Sequence, residues 1–161
     1  MAEAITITRK VLFGETFTVG ELLVALKDKK LSKSTRIQIS TNDNYGMLTA
    51  VYECRHCTRI HILGTRSFTE RKKLQKFLYE NAKIVYGGGA GQDDESELEK
   101  KDLIAILKKI EDKETKLLME TMKDVQEYKD YTIAGVYKCA DADCPIIHLS
   151  AAYEKEAPNL N

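Results

Sequence analysis

Four cysteines in two pairs constrain this chain more than any other feature: Cys54 with Cys57, and Cys139 with Cys144. Both pairs lie in the same context. Val51-Tyr52-Glu53-Cys54 matches Val136-Tyr137-Lys138-Cys139. After the second cysteine of each pair, Cys57-Thr58-Arg59-Ile60-His61-Ile62 matches Cys144-Pro145-Ile146-Ile147-His148-Leu149. The copies differ in the turn, where Arg55-His56 stands against Ala140 to Asp143. The chain reads as two copies of a strand, a cysteine turn and a return strand, expected at 48–63 and 132–151.

A Cys-x2-Cys turn presents two sulfurs to one ion, and a Cys-x4-Cys turn can do so with a wider loop. Neither pair completes a tetrahedron, but two pairs do. Cys54, Cys57, Cys139 and Cys144 are therefore expected to hold one Zn2+, with Zn–S bonds of about 2.3 Å. A closed site of this kind is structural rather than catalytic. It would close a loop of roughly 90 residues and make metal binding part of folding. A redox pair would need the cysteines at a helix N-terminus, whereas Cys54 and Cys57 sit between strand-like runs. An enzymatic metal would need an open position, and so three protein ligands rather than four.

The histidines leave two alternatives open. His61 follows Cys57 by four residues, and His148 follows Cys144 by four. If those stretches are extended, each imidazole lies roughly 13 Å along the strand from its cysteine, too far to share the ion. His61 and His148 then read as paired strand histidines at matching sheet positions. A bend or a helix would instead create a Cys-x2-Cys-x3-His arrangement. His56, inside the first turn, reads as solvent-facing or supporting rather than ligating.

Over these two stretches the chain resembles the zinc-ribbon group, in which two cysteine-bearing β-turns share one metal. That resemblance implies the same four cysteines as ligands. Ribbon turns carry Gly or Pro beside the cysteines, and here only Pro145 does so; the insert between the halves is also long. Separately, Phe17 to Leu26 followed by Arg36 to Ile39 looks like a short helix–strand unit of small phage and bacterial proteins.

The rest of the chain is read from periodicity and capping. Residues 4–13 are β-rich. Thr18 and Glu21 have capping-box spacing before Leu22, Leu23, Ala25 and Leu26, so a helix is expected at 18–30. Residues 36–40 alternate as a strand, and Thr41 to Asn44 mark a turn. Ser67 and Glu70 cap a helix expected at 68–82. The segment 87–94 is glycine-rich but lacks the Lys-Ser/Thr ending of a phosphate loop, and reads as a flexible connector. Ser96 and Glu99 open an apolar stripe over 96–128 that includes Leu103, Ile106, Leu107, Ile110, Leu117, Leu118, Met122 and Val125. It reads as one helix, or as two joined near Glu111 to Glu114, facing either the core or a partner.

The expected fold is α+β and a single domain over 1–161. A small antiparallel sheet of hairpins would be tied by a four-cysteine zinc site, with a charged helical insertion at 66–128. Lys+Arg and Asp+Glu both number 25, which argues against a partner held by bulk phosphate electrostatics. A local basic patch of Arg55, Arg59, Arg66, Arg71, Lys72 and Lys73, with Tyr52 nearby, keeps nucleic-acid binding as the alternative function. No catalytic motif is present. The leading expectation is a non-enzymatic, zinc-stabilised interaction module, such as a phage-type regulator or inhibitor of host machinery. It would bind a protein partner, or a second copy, through Leu103, Leu107, Ile110, Leu117 and Met122. No run approaches the ~18 apolar residues of a membrane span. The N-terminus does not read as a secretory signal, so a cytoplasmic location is expected, in the host if the protein is viral.

Overall fold

The computed structural model describes residues 4–12, 14–28, 36–88, 97–139 and 145–151. Among them are nine strands and four helices, in a mixed α+β arrangement built on one large, mostly antiparallel sheet. The strands are β1 (Ala4–Arg9), β2 (Arg36–Ser40), β3 (Tyr45–Cys54), β4 (Ile60–Thr65), β5 (Ala82–Gly88), β6 (Leu117–Thr121), β7 (Tyr131–Thr132), β8 (Gly135–Cys139) and β9 (Ile146–Ser150). The helices are α1 (Val19–Leu26), α2 (Phe68–Asn81), α3 (Lys100–Lys109) and α4 (Met122–Gln126).

The strand order is β1-β8-β9-β2-β3-β4-β6-β7, with β5 pairing on β3. Two pairs are parallel, β2 with β9 and β4 with β6; the others are antiparallel. Only Ile133 and Ala134 separate β7, the last strand of the order, from β8, the second. The sheet therefore curls enough to bring β7 near β8. The stretch before α1 seals the seam. Phe17 N–H donates to Ile133 O (3.2 Å), and Leu117 N–H donates to Phe17 O (3.0 Å). The buried Thr16 hydroxyl donates to Leu117 O (2.6 Å) and accepts from Ile133 N–H (2.8 Å).

Alternation along the strands gives the sheet two apolar faces. On one, Ile37, Ile39, Leu48, Val51, Ile60 and Ile62 pack with Leu22 and Leu26 of α1 and Leu103 and Leu107 of α3. On the other, Tyr52 and Leu63 pack against Leu74 and Leu78 of α2, with Met122. Local signals account for the helix starts. Thr18 and Glu21 form the expected capping box. The Ser67 side chain accepts from Glu70 N–H, while the Glu70 carboxylate accepts from Arg66 N–H. No helix among the described residues is long and apolar enough to cross a membrane.

The helical insertion expected at 66–128 is corrected. Its helices alternate with strands of the same sheet: β5 follows α2, and β6 follows α3. The stripe at 96–128 is neither one helix nor two joined near Glu111 to Glu114, because strand β6 separates α3 from α4. α3 begins after the N-cap Glu99 and stops at Lys109. There the Lys113 ammonium donates to the carbonyls of Leu107 and Lys108 (2.9 Å each) and also to that of Ile110, a basic group closing a helix C-terminus. Leu117 and Met122 then belong to β6 and α4. All five residues assigned to a partner face, Leu103, Leu107, Ile110, Leu117 and Met122, are buried in the chain's own core. Of the connector expected at 87–94, Gly87 and Gly88 end β5, and 89–94 lie outside the described residues.

Candidate metal centre

Cys54 ends β3, and the chain bends through residues 55–59 before β4 begins at Ile60. This bend corrects the extended reading of 58–61 that set His61 aside. It carries Cys57 back toward His61, so that Cys57 Sγ and His61 Nε2 lie 3.1 Å apart. One ligand atom from each of Cys54, Cys57 and His61 lies within 4.8 Å of the others. These three residues could hold a metal ion. Bonds of about 2.3 Å to sulfur and about 2.0 Å to nitrogen, meeting at the tetrahedral angle, put S and N roughly 3.5 Å apart.

The backbone prepares both sulfurs. His56 N–H donates to Cys54 Sγ (3.3 Å), and the Arg59 backbone bonds to Cys57. Amide donors favour the thiolate that a metal needs. Burial nonetheless pushes the Cys57 thiol up, and so does its neighbour Cys54. Burial also lowers His61, which favours the neutral, ligating imidazole. A cation would turn these preferences toward thiolate.

A second layer holds the histidine. Tyr52 stands opposite His61 in the β3–β4 register, and the two rings stack with centroids 5.1 Å apart. His61 Nδ1 faces Glu120 Oε1 at 3.4 Å and Asp130 Oδ1 at 3.7 Å. The Tyr52 hydroxyl donates to that same Glu120 oxygen. Burial, followed by a hydrogen bond to Asp130, raises the Glu120 carboxyl well above its ordinary range. The arrangement has the form of a carboxylate steering the far nitrogen of a metal-binding imidazole. Tyr52, Cys54, His61, Glu120 and Asp130 border one open cavity of about 440 Å³.

Among the described residues, Cys139 is not grouped with Cys54 and Cys57. Met47, Gln38, His148 and Tyr137 share one level across β3, β2, β9 and β8. Cys139 lies two residues beyond that level and Cys54 seven, and three strand steps separate them around the sheet. The offset is on the order of 15 Å, whereas two thiolates on one zinc lie about 4 Å apart. Cys139 contacts His148 instead, with Sγ and Nε2 3.5 Å apart. Cys144 lies outside the described residues.

Arg55 and Arg59 sit at the cysteine turn, Arg66 follows the far end of β4, and Arg71, Lys72 and Lys73 lie in the first half of α2, whose last turn reaches the cysteine turn. Arg55 donates to Ala82 O (2.9 Å) and Tyr79 O (3.3 Å), tying the turn to the end of α2. Arg71 is buried, with Glu97 at 3.9 Å. Lys72 lies over the Phe68 ring.

Periodicity did not reveal Glu120 or Asp130 as part of the site. The one signal was a carboxylate interrupting the apolar run Leu117-Leu118-Met119. For the histidines, the signal was their equal offset in the two repeats. No protein-family model matches the chain, and comparison with curated proteins and with solved structures returns no match.

Proposed function

We propose that this chain is a non-catalytic zinc protein in which Cys54, Cys57 and His61 hold one ion. The ion fixes the β3–β4 turn against α2 as part of a protein-interaction surface. The observation that carries the reading is the approach of two thiols and an imidazole within 4.8 Å on a single turn. Thiolate with imidazole suits zinc, and sulfur ligands disfavour magnesium or calcium.

Three ligands leave a fourth tetrahedral position. The carboxylates that could serve a hydrolytic reaction face Nδ1, behind the imidazole. An ion on Nε2 would sit roughly 6–7 Å from them, out of reach of a water in its first shell. Their place supports an orienting role. Tyr79, Ile84 and Val85 are exposed near the turn, and Tyr79 and Val85 border a cavity beside Arg55. Exposed apolar groups of this kind favour a protein partner.

Protein purified without chelator should carry zinc, and Cys57→Ser or His61→Gln should each lower the content by one ion per chain. A zinc content unchanged from wild type in both variants would sink the site. For the interaction role, a photoreactive residue at position 79 should give protein adducts in cells, whereas one at Lys109 should not. Equal adducts from both positions would sink that role.

A further inference from the structure

We propose that the β8–β9 hairpin carries a second site for a thiolate-preferring divalent cation, separate from the first, with Cys139 and His148 among its ligands. The idea rests on the same ligand chemistry as the first site but on different residues.

The sequence repeat is reproduced in the pairing. Tyr52 stands opposite His61 in β3–β4, and Tyr137 stands opposite His148 in β8–β9. In each hairpin the cysteine lies two residues beyond the tyrosine, on the same face. That placement is diagonal to the histidine, within side-chain reach. Cys139 Sγ lies 3.5 Å from His148 Nε2, whereas in the first hairpin the 3.1 Å approach to His61 is made by the other cysteine of the pair, Cys57. The value at Cys139 and His148 is close to the ~3.5 Å edge of a tetrahedral zinc centre.

Burial supplies an independent reason. His148 is 1% exposed, and among the described residues its Nδ1 has no hydrogen-bond partner. Among those residues, the polar contact to the ring is made through Nε2. A thiol is a weak donor and offsets little; a metal bond contributes far more. Cys139 is itself buried at 5% exposure, too enclosed to serve a nucleophilic thiol–imidazole pair. By sequence alone, Cys144 precedes His148 by four residues as Cys57 precedes His61.

The test counts ions on the full chain. Wild type, Cys54→Ser, Cys139→Ser and His148→Gln are loaded with zinc, freed of excess, and assayed for metal per chain, with circular dichroism to confirm folding. Wild type should hold two ions and each variant one. Cobalt(II) should give a thiolate charge-transfer intensity below that of wild type in each variant, without abolishing it. One ion, lost by Cys54→Ser and kept by Cys139→Ser, overturns the second site and leaves the first. One ion with the reverse pattern supports the second site and overturns the first. One ion lost by both cysteine variants overturns both in favour of a shared centre. If a variant fails to fold, anomalous scattering at the zinc edge from wild-type crystals decides: two separate peaks support the proposal, and a single peak overturns it.

Discussion

The Tyr52 hydroxyl and His61 Nδ1 converge on the same oxygen of Glu120, while their rings stack across the β3–β4 ladder. The tyrosine therefore meets the imidazole directly through its face, and it bonds the carboxylate oxygen that lies 3.4 Å from Nδ1. Both contacts aim Nε2 toward Cys57.

Replacing one carboxyl oxygen of Glu120 by an amide nitrogen should loosen that aim without touching a ligand. Glu120→Gln is expected to weaken zinc binding about 10-fold, within the range seen for groups that orient metal ligands. Tyr52→Phe should act in the same direction and less, because the ring stack survives. Competition against a chromophoric chelator reads both. Wild-type affinity in Glu120→Gln would mean that stacking alone positions the ring.

Much of this arrangement was legible in the residues. The strand at 36–40 and the helix starts after Thr18 and Ser67 follow from alternation and capping, which are local. Both hairpins stand where the repeat put them. β6 was not legible. It lies between β4 and β7, and all five of its residues, Leu117 to Thr121, are buried. A strand buried on both faces loses the alternation that would separate it from helix. The separation of Cys139 from Cys54 and Cys57 was not legible for a related reason. Spacing places ligands along the chain, but the register across β2 and β9 decides which hairpins meet. Of the two alternatives for His61, the extended one assumes a fixed distance per residue, and residues 55–59 bend instead.

The burial of the former partner stripe makes a distinct prediction. Leu107 is 0% exposed and packs in the core shared by α1, α3 and the sheet. Leu107→Ala should cost roughly 2–5 kcal/mol of stability, as core truncations do. Denaturant unfolding at constant slope would measure it. A loss below about 0.5 kcal/mol, the range of ordinary surface substitutions, would return this side chain to the surface.

The start of α1 should show a pH signature. Burial alone would raise the Glu21 carboxyl, but bonds from Lys10 and Thr18 outweigh it and leave its pKa lowered. A folded-state pKa below the unfolded value contributes stability above the unfolded value, and loses it as pH falls through the folded one. The Glu21 side chain is 46% exposed, so screening holds the contribution to about 1 kcal/mol or less. Glu21→Gln should therefore destabilise modestly at pH 7, and the gap from wild type should narrow below about pH 4. A gap that stays constant down to about pH 3 would remove the charge from the explanation.

One hydroxyl with two duties helps to close the sheet, beside the Phe17 backbone bonds. Thr16 donates to Leu117 O and accepts from Ile133 N–H, joining β6 to the segment between β7 and β8. Thr16 is 8% exposed, so water cannot readily replace either bond. Thr16→Val keeps the shape and leaves a buried donor and a buried acceptor unpaired, at about 1–3 kcal/mol for each group left unsatisfied. Thr16→Ser keeps the hydroxyl and should recover most of that loss. Hydrogen exchange at the Ile133 amide gives a local reading: it should accelerate strongly in the valine variant and stay near wild type in the serine variant. Equal protection in both would mean that the seam is held by the Phe17 backbone bonds to Ile133 and Leu117 alone.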